Sequence, residues 1–307
     1  MDPRLRLRHL RCFLETARQE SLSAAADSLH ISQPAASKTL RELEEIVGVA
    51  LFDRSGRRLA LTPAGRQFQQ HAGAAMIALE RAQRAARNAP AQVTRLSVGV
   101  LPTASTDLFP RAALAFHRDF PNCVLRVTTG PNLLLLSQLR EGRLDLIVGR
   151  MPSPEQMTGL TFRQLYTERV VMVVRPDHPL IGASGGDLGA ELARYPLLLP
   201  PDGAVIAPVV RGYLLSIGLQ SPQPAFESVA LAFGRKVVML SDTVWFISEG
   251  VVAEEIAQGS LCALDTGADP LAGPVGICQR AETVGRPEQE GIMRYLCEVA
   301  RGEAKTA

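Results

Sequence analysis

The sequence predicts a two-part α/β protein, in which a small helical part is joined by a long helix to a larger part of alternating strands and helices. Three observations predict this organisation. Apolar residues recur at helical spacing through most of residues 1–61, one unbroken helical pattern fills residues 62–90, and apolar strands separated by helices begin at Leu96. We therefore expect three successive domains, with the third covering residues 91–307.

Length and composition indicate a folded protein with several domains. The chain has 307 residues, of which 46% are hydrophobic and 21% are charged, and its five cysteines are widely spaced. There is no leader pattern and no apolar run long enough to cross a bilayer. No two cysteines form a CxxC pair, which favours reduced thiols over disulfides or a zinc site. We expect a cytoplasmic protein without a metal or other cofactor.

Positive charge is concentrated near the amino terminus. Residues 1–90 carry 14 Lys and Arg against 9 Asp and Glu, whereas residues 91–307 carry 19 against 22. The amino-terminal part is therefore the one suited to a polyanion. A chance imbalance is the alternative.

Three helices are predicted first. The first is indicated by apolar residues on one face, namely Leu7, Leu10, Phe13, Leu14 and Ala17. The second runs from near Leu22 to Leu29, with Ser21 or Ser23 as its N-cap. The third follows the cap Ser32 and has Pro34 in its first turn, where the missing N–H costs nothing.

The third helix separates an apolar face from a polar, cationic face. The inward positions are Ala36, Leu40, Leu43 and Val47, and the outward positions are Gln33, Pro34, Ser37, Lys38 and Arg41. A short helix, a tight turn and such a helix are what a helix-turn-helix needs to enter the major groove of DNA. Gln33 suits adenine, and Lys38 and Arg41 suit guanine or phosphate. A three-helix packing unit with a solvated polar face is the alternative.

A short hairpin is predicted after Gly48, with strands near Leu51–Asp53 and Leu59–Thr62. Its tip carries three arginines, Arg54, Arg57 and Arg58. This is the pattern of the wing of a winged helix, whose basic tip contacts phosphates or a minor groove. A solvated basic loop is the alternative.

These segments resemble the signature of the LysR family of bacterial transcriptional regulators. The resemblance rests on the run from Ala24 to Glu44, on Gly48 with Leu51-Phe52-Asp53-Arg54, and on Leu61-Thr62-Pro63-Ala64-Gly65. It implies that Gln33, Pro34, Ser37 and Lys38 read the groove and that the Arg54–Arg58 wing touches the DNA backbone. Ala36 departs from the pattern, since the family more often has a bulkier aliphatic residue there.

A long helix follows Thr62-Pro63, a cap followed by a proline at the first helical position. Small and apolar residues form a heptad seam along it, namely Phe68, Ala72, Ala75, Leu79 and Ala82. The run to Asn88 is roughly 40 Å long. Such a seam suits a partner helix in a dimer, which would place two recognition helices on two half-sites of a dyad. The family uses this helix for dimers, usually within a tetramer, and a helix packed on its own domain is the alternative.

The remaining chain predicts two α/β lobes joined by crossing strands, an architecture similar to periplasmic binding proteins and to the family's effector-binding domain. Strands are indicated at Leu96–Leu101, Val124–Thr128 and Leu144–Arg150, with helices between them, and a second such series begins at Val170. We place the first lobe at about residues 91–165 and 267–301, and the second at about 166–266. The series favours a mostly parallel sheet.

Ligands of such sheets bind beyond the carboxyl ends of the strands. The candidates at these positions are Thr103, Ser105, Asn132, Arg150, Pro201, Asp202 and Ser248. Thr103 and Ser105 offer hydroxyls in a loop after the first strand, Asn132 begins a helix, and Arg150 can form a bidentate pair with a carboxylate. For each residue a solvated loop position is the alternative.

Several segments resemble one branch of the family, the regulators of protocatechuate breakdown and related sugar-responsive proteins. They include Leu101-Pro102-Thr103, Val148-Gly149-Arg150 and the run from Leu240 to Ser248. The resemblance implies a muconate-like carboxylate as inducer, activation of transcription and contact with RNA polymerase. A sugar or amino-acid effector, repression instead of activation, and a dimer instead of a tetramer stay open.

Three other classes of protein fit the sequence less well. An enzyme is disfavoured because there is no P-loop, GxSxG or HExxH motif and the five histidines are scattered; His178 lies in a Pro-Asp-His-Pro turn that suggests a capping or surface role. A solute-binding protein of a transport system would need a signal peptide. The helix-turn-helix pattern of residues 1–90 also argues against this class. A purely architectural DNA binder would have no use for the large α/β part.

Overall fold

The computed structural model describes residues 2–53, 59–86, 93–182, 187–220, 222–264, 271–281 and 285–302. The chain divides into two compact units, residues 1–92 with 137–144, and residues 93–136 with 145–307. Among the described residues, apolar side chains form one buried cluster in the first unit and two in the second.

The first unit contains the predicted helices and the predicted hairpin. Its elements are α1 (Leu7–Gln19), α2 (Leu22–Ser28), α3 (Gln33–Val47), β1 (Phe52–Asp53), β2 (Ala60–Leu61) and α4 (Pro63–Ala86). The order matches the expected helix-turn-helix followed by a hairpin and a long helix. Residues 87 and 88, the predicted end of the long helix, lie outside the described residues.

Serine side chains begin both helices of the helix-turn-helix. The Ser21 hydroxyl oxygen accepts the N–H of Ala24 at 3.3 Å, so Ser21, and not Ser23, caps α2. The Ser32 hydroxyl oxygen accepts the N–H of Ala35 at 3.4 Å and caps α3. At the other end of α3, Gly48 adopts a φ of 82°, a left-handed conformation that glycine reaches without strain.

Replacing Ser32 with alanine is expected to lower the free energy of unfolding by about 1 kcal/mol, because one N–H of the first turn of α3 loses its partner. Ser21→Ala removes the equivalent bond from α2 and is the matched control. Chemical denaturation should give similar losses for both variants, whereas DNA affinity should fall further for Ser32→Ala. Equal DNA affinities in the two variants would contradict a special role of α3.

The core of the first unit is formed by aromatic and aliphatic side chains from α1, α2, α3 and β1, and Phe68 of α4 packs against it. Phe13 packs against Phe52 and Phe68, with ring centroids 5.3 and 5.0 Å away. Two predicted inward residues are exposed instead of buried. Leu7 is 40% exposed and Val47 is 36% exposed, because they are the first residue of α1 and the last of α3.

The hairpin is held against the end of α3. β1 and β2 pair antiparallel, with Phe52 opposite Leu61 and Asp53 opposite Ala60. A carboxylate oxygen of Glu44 in α3 accepts the N–H groups of Leu51 at 2.9 Å and Phe52 at 3.2 Å. The arginines of the predicted tip, Arg54, Arg57 and Arg58, lie outside the described residues.

The second unit alternates strands and helices as predicted. Its strands are β3 (Thr94–Val100), β4 (Cys123–Thr128), β5 (Leu146–Arg150), β6 (Leu160–Val174), β7 (Leu197–Leu199), β8 (Phe226–Glu227), β9 (Val244–Ser248), β10 (Cys262–Leu264) and β11 (Ala272–Arg280). Its helices are α5 (Pro102–Ser105), α6 (Leu108–Asp119), α7 (Asn132–Arg140), α8 (Leu188–Leu192), α9 (Ala207–Ser216), α10 (Leu231–Leu240), α11 (Ala253–Ala257) and α12 (Pro287–Ala300). The last residues of α7, 137–140, belong to the first unit.

The strands form one mixed sheet in the order β4-β3-β5-β11-β6-β9-β7-β8, with β10 beside β6. β3 is parallel to β4 and β5, and β7 is parallel to β8 and β9. The two crossing strands β6 and β11 run antiparallel to their neighbours. The expectation of a mostly parallel sheet is therefore wrong at the centre, because the chain crosses from one half of the sheet to the other and back.

The two halves of the sheet have separate cores. Leu96, Phe116, Leu146 and Ile292 belong to one cluster, and Trp245 belongs to the other with the strands around it. β6 is longer than predicted, since it begins at Leu160 instead of near Val170. Side chains from its first half pack against the cluster that contains Leu96. Leu271 packs in the second cluster, although residues 267–301 were predicted in the first lobe.

Two further observations concern the whole described chain. None of its helices has both the length and the apolar character needed to cross a membrane. Of the five cysteines, Cys262 is half-buried and the other four are buried.

Candidate functional site

The outward face of α3 is polar and open to solvent. Gln33, Pro34, Lys38 and Arg41 are exposed and Ser37 is half-buried, whereas Ala36 is buried against the core. Because Ala36 has a small side chain, α3 can lie close to α1; the Cys12 thiol contacts the Ala36 carbonyl oxygen at 3.6 Å. The five predicted DNA-reading residues therefore share one helical face.

Side chains on this face are partly paired with each other. A terminal nitrogen of Arg41 donates to the Ser37 hydroxyl oxygen at 3.2 Å, and the Lys38 ammonium lies 4.0 Å from Glu42. Glu42 also contacts Arg8 at 3.1 Å and His9 at 3.3 Å, and the hydrogen bond with His9 is the largest cause of its lowered pKa. Since Lys38 and Arg41 are exposed and their pairs are weak, these two cations can leave them for phosphates or base edges.

The predicted seam on α4 divides into two parts. Phe68 packs on the core of its own unit and Ala72 is buried, so neither presents a free surface. Ala75 and Leu79 are exposed, with Leu79 at 41%. The side chain of Ala82 lies outside the described residues. The start of α4 therefore packs on its own unit, as in the alternative interpretation. The exposed part of the seam begins at Ala75.

A cavity of about 230 Å³ lies in the second unit, at the carboxyl ends of β3, β5 and β9. Six of the seven predicted ligand residues line it, namely Thr103, Asn132, Arg150, Pro201, Asp202 and Ser248. Most of the other lining residues are apolar, including Leu101, Pro131, Leu133, Val205, Ile206, Val229 and Ile247. A small apolar cavity with a few polar groups is the usual form of a small-molecule site.

Ser105 does not line this cavity, which corrects the prediction. The segment Pro102–Ser105 is a short helix, α5, and not the expected loop. As the last residue of this turn, Ser105 donates its hydroxyl to the Pro102 carbonyl oxygen at 2.9 Å. Helix geometry thus keeps Thr103 in the cavity wall and directs Ser105 to its own backbone.

Arg150 is the only cationic residue in the described wall of the cavity, and it is 5% exposed. One terminal nitrogen, Nη2, donates to the Glu168 carbonyl oxygen at 3.1 Å. Within the described part of the chain, Nε and Nη1 have no hydrogen-bond partner. Burial lowers the pKa of Arg150, and the charge of Glu168 offsets part of this effect. The guanidinium stays charged, because its ordinary pKa is far above neutrality.

Glu168, on the crossing strand β6, is the counter-charge of Arg150. Its carboxylate lies 3.8 Å from the Arg150 Nη2 atom, and the residue as a whole is 7% exposed. One oxygen accepts the Thr103 hydroxyl, and the other accepts the Gly250 N–H at 2.9 Å. The Ser248 hydroxyl is a further hydrogen-bond partner. Glu168 is therefore fully hydrogen-bonded, whereas Arg150 is not.

Burial raises the pKa of Glu168, and its partners offset only part of this effect. A carboxyl group whose pKa is raised on folding stabilises the folded state below its unfolded value of 4.5, and this contribution is lost as the pH rises through the folded value. The melting temperature of the wild type should therefore fall relative to that of Glu168→Gln as the pH rises above 4.5. If the melting temperatures of the wild type and Glu168→Gln change equally with pH, this prediction is wrong.

Asn132 and Asp202 complete the polar wall. The Asn132 amide nitrogen donates to Gln156 at 3.2 Å, and its buried oxygen has no partner among the described residues. The Asp202 carboxylate forms a solvent-exposed ion pair with Arg211. Asn132 can therefore bind a ligand directly, whereas Asp202 has another partner.

Two residues differ from what their sequence context indicated. Glu168 was not predicted; a lone glutamate before the apolar run of β6 is a weak signal, since its partners are distant in sequence. His178 is buried, so of its two predicted roles it has the capping role and not the surface role. Its Nδ1 accepts the Leu180 N–H at 3.0 Å and its Nε2 contacts the Asp242 carbonyl oxygen at 3.1 Å, so it holds a turn together.

Comparisons with known proteins agree over nearly the whole chain. A family model described as "Bacterial regulatory helix-turn-helix protein, lysR family" matches residues 7–66, and one described as "LysR substrate binding domain" matches residues 91–301. The transcriptional regulator PcaQ of Agrobacterium fabrum is 43% identical over 305 residues, which are 98% of this chain and 96% of that protein. An uncharacterized transcriptional regulator of Escherichia coli, YdcI, is 34% identical over 280 residues, 91% of each protein.

A solved structure of similar fold is that of a full-length OxyR variant from Pseudomonas aeruginosa. It is 25% identical in sequence, has a TM-score of 0.60, and the match covers 97% of this chain and 95% of that one. The helix-turn-helix, the long helix and the two-lobed α/β part therefore occur together in known structures.

Proposed function

The chain belongs to the LysR family of transcriptional regulators, and from this premise we propose that a small carboxylate bound at Arg150 controls how the protein acts on DNA. The observation that carries the proposal is the buried guanidinium of Arg150 in the cavity wall, whose Nε and Nη1 atoms have no hydrogen-bond partner among the described residues. A carboxylate that accepts a hydrogen bond from one of these nitrogen atoms would form a charge-assisted pair with the guanidinium.

The DNA contacts are assigned to the outward face of α3. Gln33 and Pro34 begin the helix, and Ser37, Lys38 and Arg41 follow on the same face. We assign base contacts to Gln33 and phosphate or guanine contacts to Lys38 and Arg41. For Arg54, Arg57 and Arg58 the assignment to phosphates rests on their sequence and on the family resemblance alone.

Replacing Lys38 with alanine should weaken DNA binding at all sequences, if the ammonium group meets a phosphate, and should reduce the slope of log affinity against log salt by about one. Gln33→Ala should instead cost about 1–3 kcal/mol on the selected sequence only. Fluorescence anisotropy on specific and random duplexes at several salt concentrations measures both effects. If neither variant differs from the wild type, α3 does not carry the DNA contacts.

We assign self-association to the exposed part of the α4 seam, Ala75 and Leu79, continuing to Ala82. Two copies would then present two α3 helices to a dyad, with half-sites roughly 34 Å apart. The protein would act in the cytoplasm, as an activator that also contacts RNA polymerase, and without a cofactor besides its small-molecule effector. A carboxylate would act by changing the arrangement of subunits and hence the bend of the DNA.

The proposed class of effector is a muconate-type or hydroxybenzoate-type acid from aromatic catabolism. The cavity supports this because apolar residues such as Leu101, Ile206 and Ile247 surround a single cation, which suits an apolar acid better than a sugar. The similarity to PcaQ points to the same pathway class. We assign no catalytic role to this cavity.

A thermal-shift screen tests this function. The purified protein is heated with muconate, protocatechuate, benzoate and hydroxybenzoates, with sugars and amino acids as controls. A shift that saturates with concentration for one of the acids, and is lost in an Arg150→Met variant, would support the proposal. A shift with a sugar or an amino acid, and with none of the acids, would discard the carboxylate and keep the regulator.

A further inference from the structure

The Arg150–Glu168 pair is balanced in charge when the cavity is empty. One buried cation faces one buried carboxylate, and the spare donors Nε and Nη1 belong to the cation. A carboxylate ligand on one of those donors would leave two carboxylates around a single guanidinium. Two carboxylates in one buried site cannot both stay ionised at low energetic cost, so one of them takes up a proton more readily.

The surroundings of Glu168 contain no second cation that could balance the extra charge within the described residues. The groups that face it are Arg150 on β5, Tyr166 on its own strand, the hydroxyls of Thr103 and Ser248, and the Gly250 N–H. Tyr166 stays neutral, because burial and the charge of Glu168 raise its pKa. The neighbouring Arg169 is paired at the surface with Glu249 at 2.8 Å.

The hydrogen bonds of Glu168 allow either protonation state. Thr103 and Ser248 are hydroxyls, which can donate to a carboxylate oxygen or accept from a carboxylic acid O–H after rotation. The Gly250 N–H is a fixed donor, and the oxygen that accepts it stays an acceptor in both states. A protonated Glu168 therefore leaves none of these groups unsatisfied.

We propose that Glu168 takes up one proton from solvent when a carboxylate binds at Arg150, so that ligand binding by this cavity is linked to pH. This inference rests on the proposed function of the cavity. The proton ends on the carboxylate oxygen that faces Thr103 or Ser248, and the ligand stays ionised on the guanidinium. Glu168 is thus a residue that selects the charge of the ligand.

Linkage gives the size of the effect. If ligand binding raises the affinity of Glu168 for a proton, a proton raises the affinity for the ligand by the same factor. The affinity should therefore rise by up to about tenfold for each unit of pH decrease while Glu168 takes up a full proton. Glu168→Gln mimics the protonated side chain, so it should bind carboxylates tightly at every pH.

Titration calorimetry with benzoate tests the proposal, since this probe has one carboxylate and no other titrating group. At pH 7, measurement in phosphate and in Tris, two buffers of different ionisation enthalpy, gives the number of protons bound with the ligand. We expect about half a proton to one proton for the wild type and none for Glu168→Gln. At pH 8 the variant should bind benzoate about tenfold more tightly than the wild type.

Glu249→Gln is the matched control, because it removes a carboxylate close by in sequence but at the surface, and it should take up protons like the wild type. Benzamide, a neutral analogue, should bind without proton uptake. Wild-type binding of benzoate without proton uptake, or equal uptake by Glu168→Gln, would overturn the proposal. The comparison of the two buffers with the wild type alone tests for proton uptake, even if Glu168→Gln does not fold.

The two proposals fail in different ways. Benzoate binding that is unchanged in Arg150→Met would refute the site itself. Binding that is lost in Arg150→Met, but is not accompanied by proton uptake in the wild type, would leave the site in place and refute the role of Glu168. If the wild type does not bind benzoate but Glu168→Gln does, the proposal is supported, and binding by neither overturns it.

Discussion

Arg150→Met is expected to abolish the response to a carboxylate effector. The guanidinium offers two free donors in a buried site, and each charge-assisted hydrogen bond contributes about 1.5–3 kcal/mol. Losing one such bond to the ligand corresponds to a fall in ligand affinity of about tenfold to a hundredfold. Methionine keeps an unbranched apolar side chain of similar length, so the shape of the wall changes little. Calorimetry and a promoter-reporter assay with the acid measure the effect.

Removing Arg150 alone leaves Glu168 without its counter-charge, which by itself destabilises the folded state. The double variant Arg150→Met/Glu168→Gln removes both charges and is the control, because replacing a buried pair with uncharged groups avoids an uncompensated charge. Both variants should keep their affinity for DNA. If Arg150→Met responds to the effector as well as the wild type does, the ligand is not held by this guanidinium.

Leu79→Asp is expected to abolish self-association and, with it, tight DNA binding. Leu79 is 41% exposed in the middle of α4, so its apolar side chain is only partly covered by its own chain. An aspartate there would be buried without a partner in a helix–helix seam. Since two linked DNA-binding units gain from their high effective concentration, a monomer should bind its operator about a hundredfold or more weakly.

Ile181→Asp is the matched control for Leu79→Asp. Ile181 is 42% exposed and lies in the second unit, away from α4 in sequence, so the same change should leave assembly intact. Light scattering gives the mass of both variants and anisotropy gives their DNA affinity. A Leu79→Asp protein that stays oligomeric, or a monomer that binds DNA as tightly as the wild type, would refute the assignment of the α4 seam.

Local signals in the sequence predict most of the first unit. Ser21 and Ser32 mark helix starts, Gly48 marks a helix end, and the spacing of Ala36, Leu40 and Leu43 identifies the buried face of α3. Each of these features depends on neighbours within a few residues. Val47 was misplaced because its exposure depends on where the next element packs, which periodicity does not report.

The cavity was predicted in outline, and its chemistry was not. Strand ends placed Arg150, Thr103 and Ser248 at one edge of a sheet, and the cavity lies there. Glu168 was missed because its partners are 18 to 82 residues away along the chain, at Arg150, Thr103 and Gly250. Ser105 was wrongly included because the four-residue helix α5 has no periodic pattern long enough to recognise.

The most direct test of the central claim, that a carboxylate in the cavity controls the action of α3 on DNA, is a footprint with and without ligand. An operator is first selected from random duplex DNA, and an acid is taken from the thermal-shift screen. We predict an inverted repeat whose footprint or bend changes on addition of the acid, and no change in Arg150→Met. A footprint that the acid leaves unaltered, or alters equally in Arg150→Met, would contradict the claim.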